Sequence, residues 1–350
     1  TYFFKTSGNK VWDLDKVKYT DMFFGVGTNI LGYNVRELDD YIIQTIRKGN
    51  MSSLNCSEEV VLSEKLIKMH KWAHMAKFAR SGGEANAIAI RLARAYTNKD
   101  KIAICGYHGW HDWYISANIN KNNNLNNHLL DGINTIGVPK KLKNTVYPFN
   151  YNKIDELEQI VKNHDLAAIK MEVSRNQGPK NNFLKKVRDI ATKNGIVLIF
   201  DECTSGFRET FGGLHLKYKI EPDMAMFGKA LGNGYAITGV LGKKDIMSMG
   251  NKTFISSTFW TERIGSAAAI KTLEIMKNRK SWKKITQKGK LIKECWAENA
   301  KLFNLDINIE GIDALCSFSF NHKNKNSIKT FFTQEMLKER FLASNVVFVS

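Results

Sequence analysis

The chain lacks several features that mark other classes of protein. Its 350 residues contain no apolar run of about 18 residues, so the sequence predicts no membrane-spanning helix. Its five cysteines stand singly and form no Cys-x-x-Cys pair, which argues against a disulfide framework and against structural zinc. The opening residues hold no signal-peptide core with a cleavage site. We therefore expect a cytoplasmic protein or a fragment of one.

Acidic residues and prolines are also scarce. Lysine and arginine number 52 against 34 aspartates and glutamates, giving a net charge of +18, and there are only four prolines. The basic residues are spread along the whole chain together with abundant asparagine, a mix typical of an A/T-biased coding sequence. Nucleic-acid binding is therefore the poorer explanation of the charge, and no nucleic-acid partner is expected. The surplus does favour anionic ligands. His108 and His111 have no nearby carboxylate or cysteine pattern that predicts a metal site.

Short apolar runs alternate with amphipathic segments in the middle of the chain. The pattern predicts strands at 77–79, 102–105, 166–171, 196–200, 224–227 and 236–241, with helices at 84–96, 155–163 and 183–193 between several of them. Such alternation predicts an α/β fold with a mostly parallel sheet and helices on both faces. Ligands of these sheets bind at the carboxyl ends of the strands.

The pattern changes after Ser266. Helices at 267–277 and 282–303 precede a β-like stretch at 307–320 and a helix near 328–342, and the chain stops inside an apparent strand at 346–350. We therefore expect a large domain at 55–265 and a smaller α+β domain at 266–350, truncated at its end. Residues 1–54 are expected to pack beside the small domain.

Two residues at predicted strand ends carry the chemistry. Asp201 follows the apolar strand at 196–200, and Lys229 follows the strand at 224–227 in a glycine-rich turn. An amine and a carboxylate in these places suit pyridoxal 5′-phosphate (PLP): the lysine forms a Schiff base with the aldehyde, and the aspartate keeps the pyridine nitrogen protonated. Taken singly, the aspartate is as readily a helix N-cap and the lysine a solvated surface group.

Two further turns are candidate cofactor-binding segments once Lys229 and Asp201 are considered with them. Ser81, Gly82 and Gly83 lie between a predicted strand and helix, where backbone amides and the helix dipole attract an anion, although such a turn alone is a weak signal. Tyr107 stands between glycines after the strand at 102–105, where it would stack on a planar ring or remain an ordinary surface aromatic.

Taken in order, these segments resemble the class III aminotransferases of PLP fold type I, and within them the glutamate-1-semialdehyde 2,1-aminomutases. The resemblance runs through nearly the whole chain and rests on five motifs: Ser81-Gly-Gly-Glu-Ala, Arg91-Leu-Ala-Arg-Ala-Tyr96, Tyr107-His-Gly, Asp201-Glu-Cys-Thr-Ser-Gly-Phe-Arg208 and Phe227-Gly-Lys-Ala-Leu-Gly. It implies a PLP-dependent enzyme that moves an amino group, with a PLP-binding large domain.

The resemblance also implies roles for individual residues. Lys229 becomes the Schiff-base lysine and Asp201 the partner of the pyridinium nitrogen, while Thr258 reaches the phosphate of the neighbouring subunit and implies a homodimer. The other implied cofactor contacts are the phosphate amides of Gly82 and Gly83 beside Ser81, the rings of Tyr107 and His108, Cys203 on the opposite ring face, and Glu172 and Asn176 near the ring hydroxyl.

Several positions depart from the family pattern. Gly83 replaces a threonine, and Thr204 stands where the ω-amino acid transaminases carry glutamine. The segment Phe259-Trp-Thr-Glu-Arg263 alters the dimer-facing wall of the site. Arg175 and Arg263 are candidates for binding an anionic substrate, with a structural ion pair the favoured role for each.

Two enzyme activities therefore remain open. In an aminomutase, the amino group returns to the neighbouring carbon of the same molecule, and we expect the loop at 118–143 to close over it. In a transaminase, a separate donor restores the cofactor, and a keto sugar or sugar-derived acid of surface-glycan biosynthesis is the alternative substrate. A basic binding protein on a retained scaffold is a third hypothesis, disfavoured because Lys229 and Asp201 are both present.

Overall fold

The computed structural model describes residues 2–121, 123–126, 128, 132–174 and 176–350. The strands are, in chain order, β1 (Phe3–Ser7), β2 (Lys10–Asp13), β3 (Lys18–Asp21), β4 (Met75–Ala79), β5 (Lys101–Cys105), β6 (Val146–Pro148), β7 (Leu166–Glu172), β8 (Val197–Asp201), β9 (Met224–Phe227), β10 (Thr238–Gly242), β11 (Ile307–Ile312), β12 (Leu315–Phe320), β13 (Phe341–Leu342) and β14 (Val346–Phe348). The α-helices are α1 (Phe24–Gly27), α2 (Arg36–Arg47), α3 (Ser57–Met69), α4 (Gly82–Thr97), α5 (Asp112–Ile115), α6 (Ile154–Asn163), α7 (Phe183–Lys193), α8 (His215–Tyr218), α9 (Lys244–Met247), α10 (Arg263–Arg279), α11 (Ser281–Leu302) and α12 (Lys325–Lys338). Within the described ranges, no helix is both long and apolar enough to cross a membrane.

The central sheet confirms the mostly parallel arrangement expected from the sequence. Its strand order is β4-β10-β9-β8-β7-β5-β6. The pairs from β9 through β8, β7 and β5 to β6 are parallel, whereas β10 runs antiparallel to both β9 and β4. Parallel neighbours need a crossover of a dozen or more residues. Residues 228–237 between β9 and β10 are too few for that, so the chain turns back on itself.

Helices cover both faces of this sheet. Along β8, Leu198 and Phe200 pack into a core that includes Val187 of α7, whereas Val197 and Ile199 pack with residues of α4. Because successive side chains of a strand point to opposite faces, β8 is buried on both sides. Asp201, the last residue of β8, continues the α4 face.

Both ends of the chain meet in a second sheet, of order β1-β2-β3-β13. Strands β1 to β3 are antiparallel, and β13, near the C-terminal end, pairs in parallel with β3. The apolar pattern predicted none of β1 to β3, because their side chains are largely exposed or half-buried. A third sheet, β11-β12-β14, accounts for the predicted β-like stretch at 307–320 and the strand at 346–350.

The loop expected at 118–143 begins with an asparagine-rich tract and includes residues 122, 127 and 129–131, which lie outside the described residues. Asn118 itself closes a short 3-10 helix, Ser116–Asn118. Its side chain is buried and donates to the carbonyl of Ile133 at 2.8 Å. The start of the tract is therefore tied to the segment that follows it.

Candidate active site

Lys229 and Asp201 lie at the same edge of the central sheet. Asp201 ends β8, and Lys229 follows the neighbouring parallel strand β9 with a left-handed φ of 42°. The half-buried Lys229 donates from Nζ to Oγ1 of Thr204 at 3.0 Å, and Thr204 follows β8. Parallel pairing of two strands thus brings the predicted amine and carboxylate to one place.

Asp201 is buried and contacts two hydrogen-bond donors and one cation. Its Oδ2 lies 2.9 Å from Nδ1 of His108 and 3.6 Å from Nζ of Lys170, and its Oδ1 accepts from the backbone N–H of Cys203 at 3.1 Å. Burial alone would raise the pKa of Asp201, but the charge of Lys170 and the hydrogen bond from His108 outweigh it. The net result is a pKa well below the usual range, so Asp201 stays ionised.

His108 forms a hydrogen bond with this carboxylate. Burial, reinforced by the charge of Lys170, lowers the pKa of His108 to about 4, so the ring is neutral near pH 7. A neutral ring that donates from Nδ1 to Asp201 carries its lone pair on Nε2. That Nε2 is buried and has no hydrogen-bond partner within the described part of the chain. The sequence predicted His108 as a cofactor contact, and the structure shows it in contact with Asp201.

Lys170 is a site residue that the sequence analysis missed. It lies on β7, is completely buried, and donates from Nζ to Sδ of Met226 at 3.3 Å. Burial lowers its pKa, and the charge of Asp201 opposes that change. A lysine inside the otherwise apolar run at 166–171 was the available signal, since a buried lysine requires a partner.

Ser81, Gly82 and Gly83, which the sequence predicts to bind an anion, lie at the N-cap and first turn of α4, and this turn is called the cradle below. Oγ of Ser81 accepts from the N–H of Glu84 at 3.3 Å, and Oε2 of Glu84 accepts from the N–H of Ser81 at 2.8 Å. This capping box starts the helix at Gly82, two residues earlier than the sequence predicted. The first amides of a helix have no intrahelical acceptor. Those of Gly82 and Gly83 therefore suit a phosphate.

The cradle lies against the residues that follow β8 and β5. A Cβ atom on Gly82 would meet Sγ of Cys203 at 3.8 Å. A Cβ atom on Gly83 would lie only 2.2 Å from Cε1 of His111, so the ring of His111 occupies the space of a side chain at position 83. Three sequence-predicted residues and one unassigned histidine therefore share the cradle.

Tyr107 and Glu172 also come together. Oε2 of Glu172, the buried last residue of β7, accepts from the N–H of Tyr107 at 3.2 Å. Gly106 has a φ of 110°, and a Cβ atom there would lie 2.6 Å from Oε2 of Glu172, so only glycine fits beside this carboxylate. The half-buried ring of Tyr107 lies edge-on to Tyr114, with centroids 6.0 Å apart.

Asn176 and Thr258 lie further out. Asn176 is exposed, and its carbonyl accepts from the N–H of Gly311 in the third sheet at 2.8 Å. Thr258 is also exposed and begins the 3-10 helix Thr258–Thr261. Arg175 lies outside the described residues.

The segment after Thr258 is attached to the cradle. Nε1 of Trp260 donates to Oε1 of Glu84 at 3.0 Å, and Nη2 of Arg80 donates to the carbonyls of Trp260 and Glu262, each at 2.8 Å. Arg263 pairs with Glu58 at 2.8 Å, the structural ion pair favoured from the sequence. The altered segment at 259–263 thus stabilises the capping box from outside.

Together these groups fit PLP. The site offers a half-buried amine, a carboxylate kept ionised by its surroundings, and a helix N-terminus opened by two glycines. These are the groups that would hold the aldehyde, the pyridine nitrogen and the phosphate.

Comparison with known proteins gives the same family. Residues 2–344 match the model of the class-III aminotransferases. The 3-aminobutyryl-CoA aminotransferase of Cloacimonas acidaminovorans is 36% identical over 299 residues, covering 83% of this chain and 68% of the relative. The glutamate-1-semialdehyde 2,1-aminomutase of Nitrosopumilus maritimus is 35% identical over 291 residues, covering 79% of this chain and 67% of the relative.

Solved structures share the fold. The PLP internal aldimine form of the FumI protein of Sphingopyxis sp. MTA144 superposes with a TM-score of 0.89 at 23% identity, covering 100% of this chain and 83% of that one. An omega-transaminase from Sphaerobacter thermophilus superposes with a TM-score of 0.90 at 20% identity, covering 100% of this chain and 86% of that one.

Proposed function

Because this chain belongs to the class III aminotransferase family, whose members are PLP-dependent enzymes, we propose that Lys229 binds the cofactor aldehyde and Asp201 the pyridine nitrogen. The observation that carries this assignment is the placement of an amine and an ionised carboxylate at the carboxyl ends of adjacent strands β9 and β8. A carboxylate with a lowered pKa keeps the pyridine nitrogen protonated.

When bound, PLP supplies an electron sink for the bond that breaks at the substrate carbon. The protein supplies position and proton transfer. Thr204 holds the amine of Lys229, and that amine is the base and acid that moves a proton at the substrate carbon. Gly82 and Gly83 bind the phosphate through their amides, while Tyr107 and Cys203 enclose the ring from its two faces.

Absorbance titration with PLP tests the assignment of Lys229. After unbound PLP, which is itself yellow, has been removed, the parent protein should retain a yellow band, and borohydride should attach the cofactor irreversibly to the peptide that contains Lys229, as mass spectrometry would show. Lys229→Ala should give neither result. Lys244→Ala, at an exposed lysine outside the site, should behave like the parent. Irreversible labelling of Lys229→Ala to the same extent would reject the assignment.

We propose that the substrate is a small amino or oxo compound, with glutamate 1-semialdehyde the first to test. Support comes from the resemblance to the aminomutases and from the relative in Nitrosopumilus maritimus. Turnover of glutamate 1-semialdehyde without an added amino donor would establish the aminomutase. A strict requirement for a donor would reject it and leave a transaminase, with a keto sugar or an acyl-CoA substrate the next to test, since one relative is a 3-aminobutyryl-CoA aminotransferase.

The same proposal includes a cytoplasmic homodimer to which Thr258 contributes across the interface. Thr258 is exposed and stands between Phe254 and Phe259, which are 82% and 66% exposed. Two exposed aromatic rings in one segment support its assignment to a surface that a partner covers. Sedimentation equilibrium should give twice the mass of the chain, and a monomer with full PLP binding would reject the role of Thr258.

A further inference from the structure

We propose that His111 is a ligand of the cofactor phosphate, donating a hydrogen bond from its imidazole into the cradle. This inference rests on the proposed function, because that function places the phosphate at Gly82 and Gly83. It adds a residue that neither the motif set nor the capping box identified.

The position of the ring carries the inference. A Cβ atom on Gly83 would lie 2.2 Å from Cε1, 2.6 Å from Nδ1 and 3.4 Å from Nε2 of His111. The imidazole therefore fills the volume that a side chain at position 83 would occupy, at the first turn of α4. Gly83 replaces a threonine of the family pattern, and the ring brings a polar hydrogen to the place where that hydroxyl is missing.

The backbone holds the ring there. The carbonyl of His111 accepts from the N–H groups of Tyr114 at 2.9 Å and Ile115 at 3.2 Å, which fixes the residue at the N-cap of α5. Gly109 has a φ of 97°, and a Cβ atom on it would lie 3.6 Å from Cα of Gly83. The loop before His111 is therefore packed on the cradle.

One nitrogen of the ring needs a partner. Nδ1 of His111 is buried and has no hydrogen-bond partner among the described residues. Nearly all buried polar atoms in proteins are hydrogen-bonded, which favours a ligand or a water molecule as the partner of this one. A phosphate oxygen at the adjacent helix N-terminus suits an imidazole N–H, since hydrogen bonds to charged groups are the strong ones.

The test compares PLP with pyridoxal, which lacks the phosphate. The dissociation constants of both are measured for the apoprotein by absorbance and fluorescence titration. His111→Phe keeps a ring beside Gly83 but removes the N–H. We expect it to weaken PLP binding about 10- to 100-fold, the worth of one hydrogen bond to a charged group, and to change pyridoxal binding less than about twofold.

A second variant, Gly83→Ala, keeps the proposal testable if His111→Phe does not fold. Gly83→Ala should push the ring out of the cradle and weaken PLP binding by a similar factor. Adding His111→Ala to Gly83→Ala should then have little further effect, because the two changes remove one interaction. Thermal unfolding of each apoprotein checks that the fold is kept.

The outcomes separate the two proposals. Unchanged PLP affinity in His111→Phe, or equal losses for PLP and pyridoxal, would overturn the role of His111 while the labelling of Lys229 still stands. A parent protein that binds no PLP would overturn both.

Discussion

Replacement of Lys170 by methionine should destabilise the apoprotein by about 3 kcal/mol, because it leaves the buried carboxylate of Asp201 without its cation. Nζ of Lys170 lies 3.6 Å from Oδ2 of Asp201, and both side chains are almost completely buried. Two unit charges at that distance attract each other by about 5 kcal/mol at an effective dielectric constant near 20.

Two effects reduce that value. Burial of the lysine itself is unfavourable, and its lowered pKa reflects this cost. Asp201 also keeps the hydrogen bonds from His108 and from the N–H of Cys203 when the lysine is gone. Methionine is unbranched like lysine and only one heavy atom shorter, so the variant removes the charge with a small change in packing. A loss of about 3 kcal/mol, at the low end of the range for broken buried pairs, is the expected balance.

Urea unfolding of the apoprotein measures this loss. Lys186→Met, at an exposed position of α7, is the control and should change the free energy of unfolding by less than about 0.5 kcal/mol. In the double variant Lys170→Met with Asp201→Asn, the destabilisation should be smaller than the sum of the two single changes. A Lys170→Met protein as stable as the parent would refute the reasoning, since the pair would then give no net stabilisation.

Two further predictions concern the surroundings of the site. Buried His70 donates to the carbonyl of the preceding helical turn and accepts from the N–H of Gly213, and burial lowers its pKa to about 4. Because its unfolded pKa is near 6.5, the unfolded state binds more protons between these values. His70 should therefore contribute about 2 kcal/mol to the fall in stability from pH 7 to pH 5 in urea titrations, and His70→Gln should remove that contribution while the one from His108 remains. Trp260→Phe should cost about 1.5 kcal/mol, because it removes the hydrogen bond to the carboxylate of Glu84, whereas Trp110→Phe, at a side chain that is 71% exposed, should be nearly neutral in the same assay.

The sequence predicted the buried strands of the central sheet well. Most of these strands are short apolar runs, because burial on both faces leaves little room for polar side chains, as in β9. The edge strand β6 and strands β1 to β3 were not predicted, because short or exposed strands carry no apolar signature. The order of the strands in the sheet could not be predicted from the local apolar pattern either, because it depends on which strands pair across long stretches of chain.

The residues of the candidate site also divide into those that the sequence predicts and those that only the fold brings together. The placement of Lys229 and Asp201 at one edge was predictable because each stands at the end of its own strand, and parallel neighbours end at one edge. The contact between His111 and Gly83 was not, because it joins the loop after β5 to the first turn of α4, which only the fold brings together. Lys170 falls between these cases: its lysine interrupts an apolar run, but its partner lies on a neighbouring strand.

The adjacent carboxylates Asp201 and Glu202 show how strand geometry assigns different tasks to similar residues. Glu202 points to the opposite face, where its oxygens accept from the N–H of Leu214 at 2.6 Å and from the N–H and Nδ1 of His215 at 2.9 and 2.7 Å. Burial would raise the pKa of Glu202, but these donors outweigh it and lower that pKa. Both carboxylates are therefore ionised in the folded protein, for different reasons. The carboxylate of Glu202 is hydrogen-bonded to fixed donors of the fold and anchors the end of β8, whereas Asp201 faces Lys170, His108 and the proposed cofactor site. A change at Glu202 should therefore act on the site only through the position of Asp201.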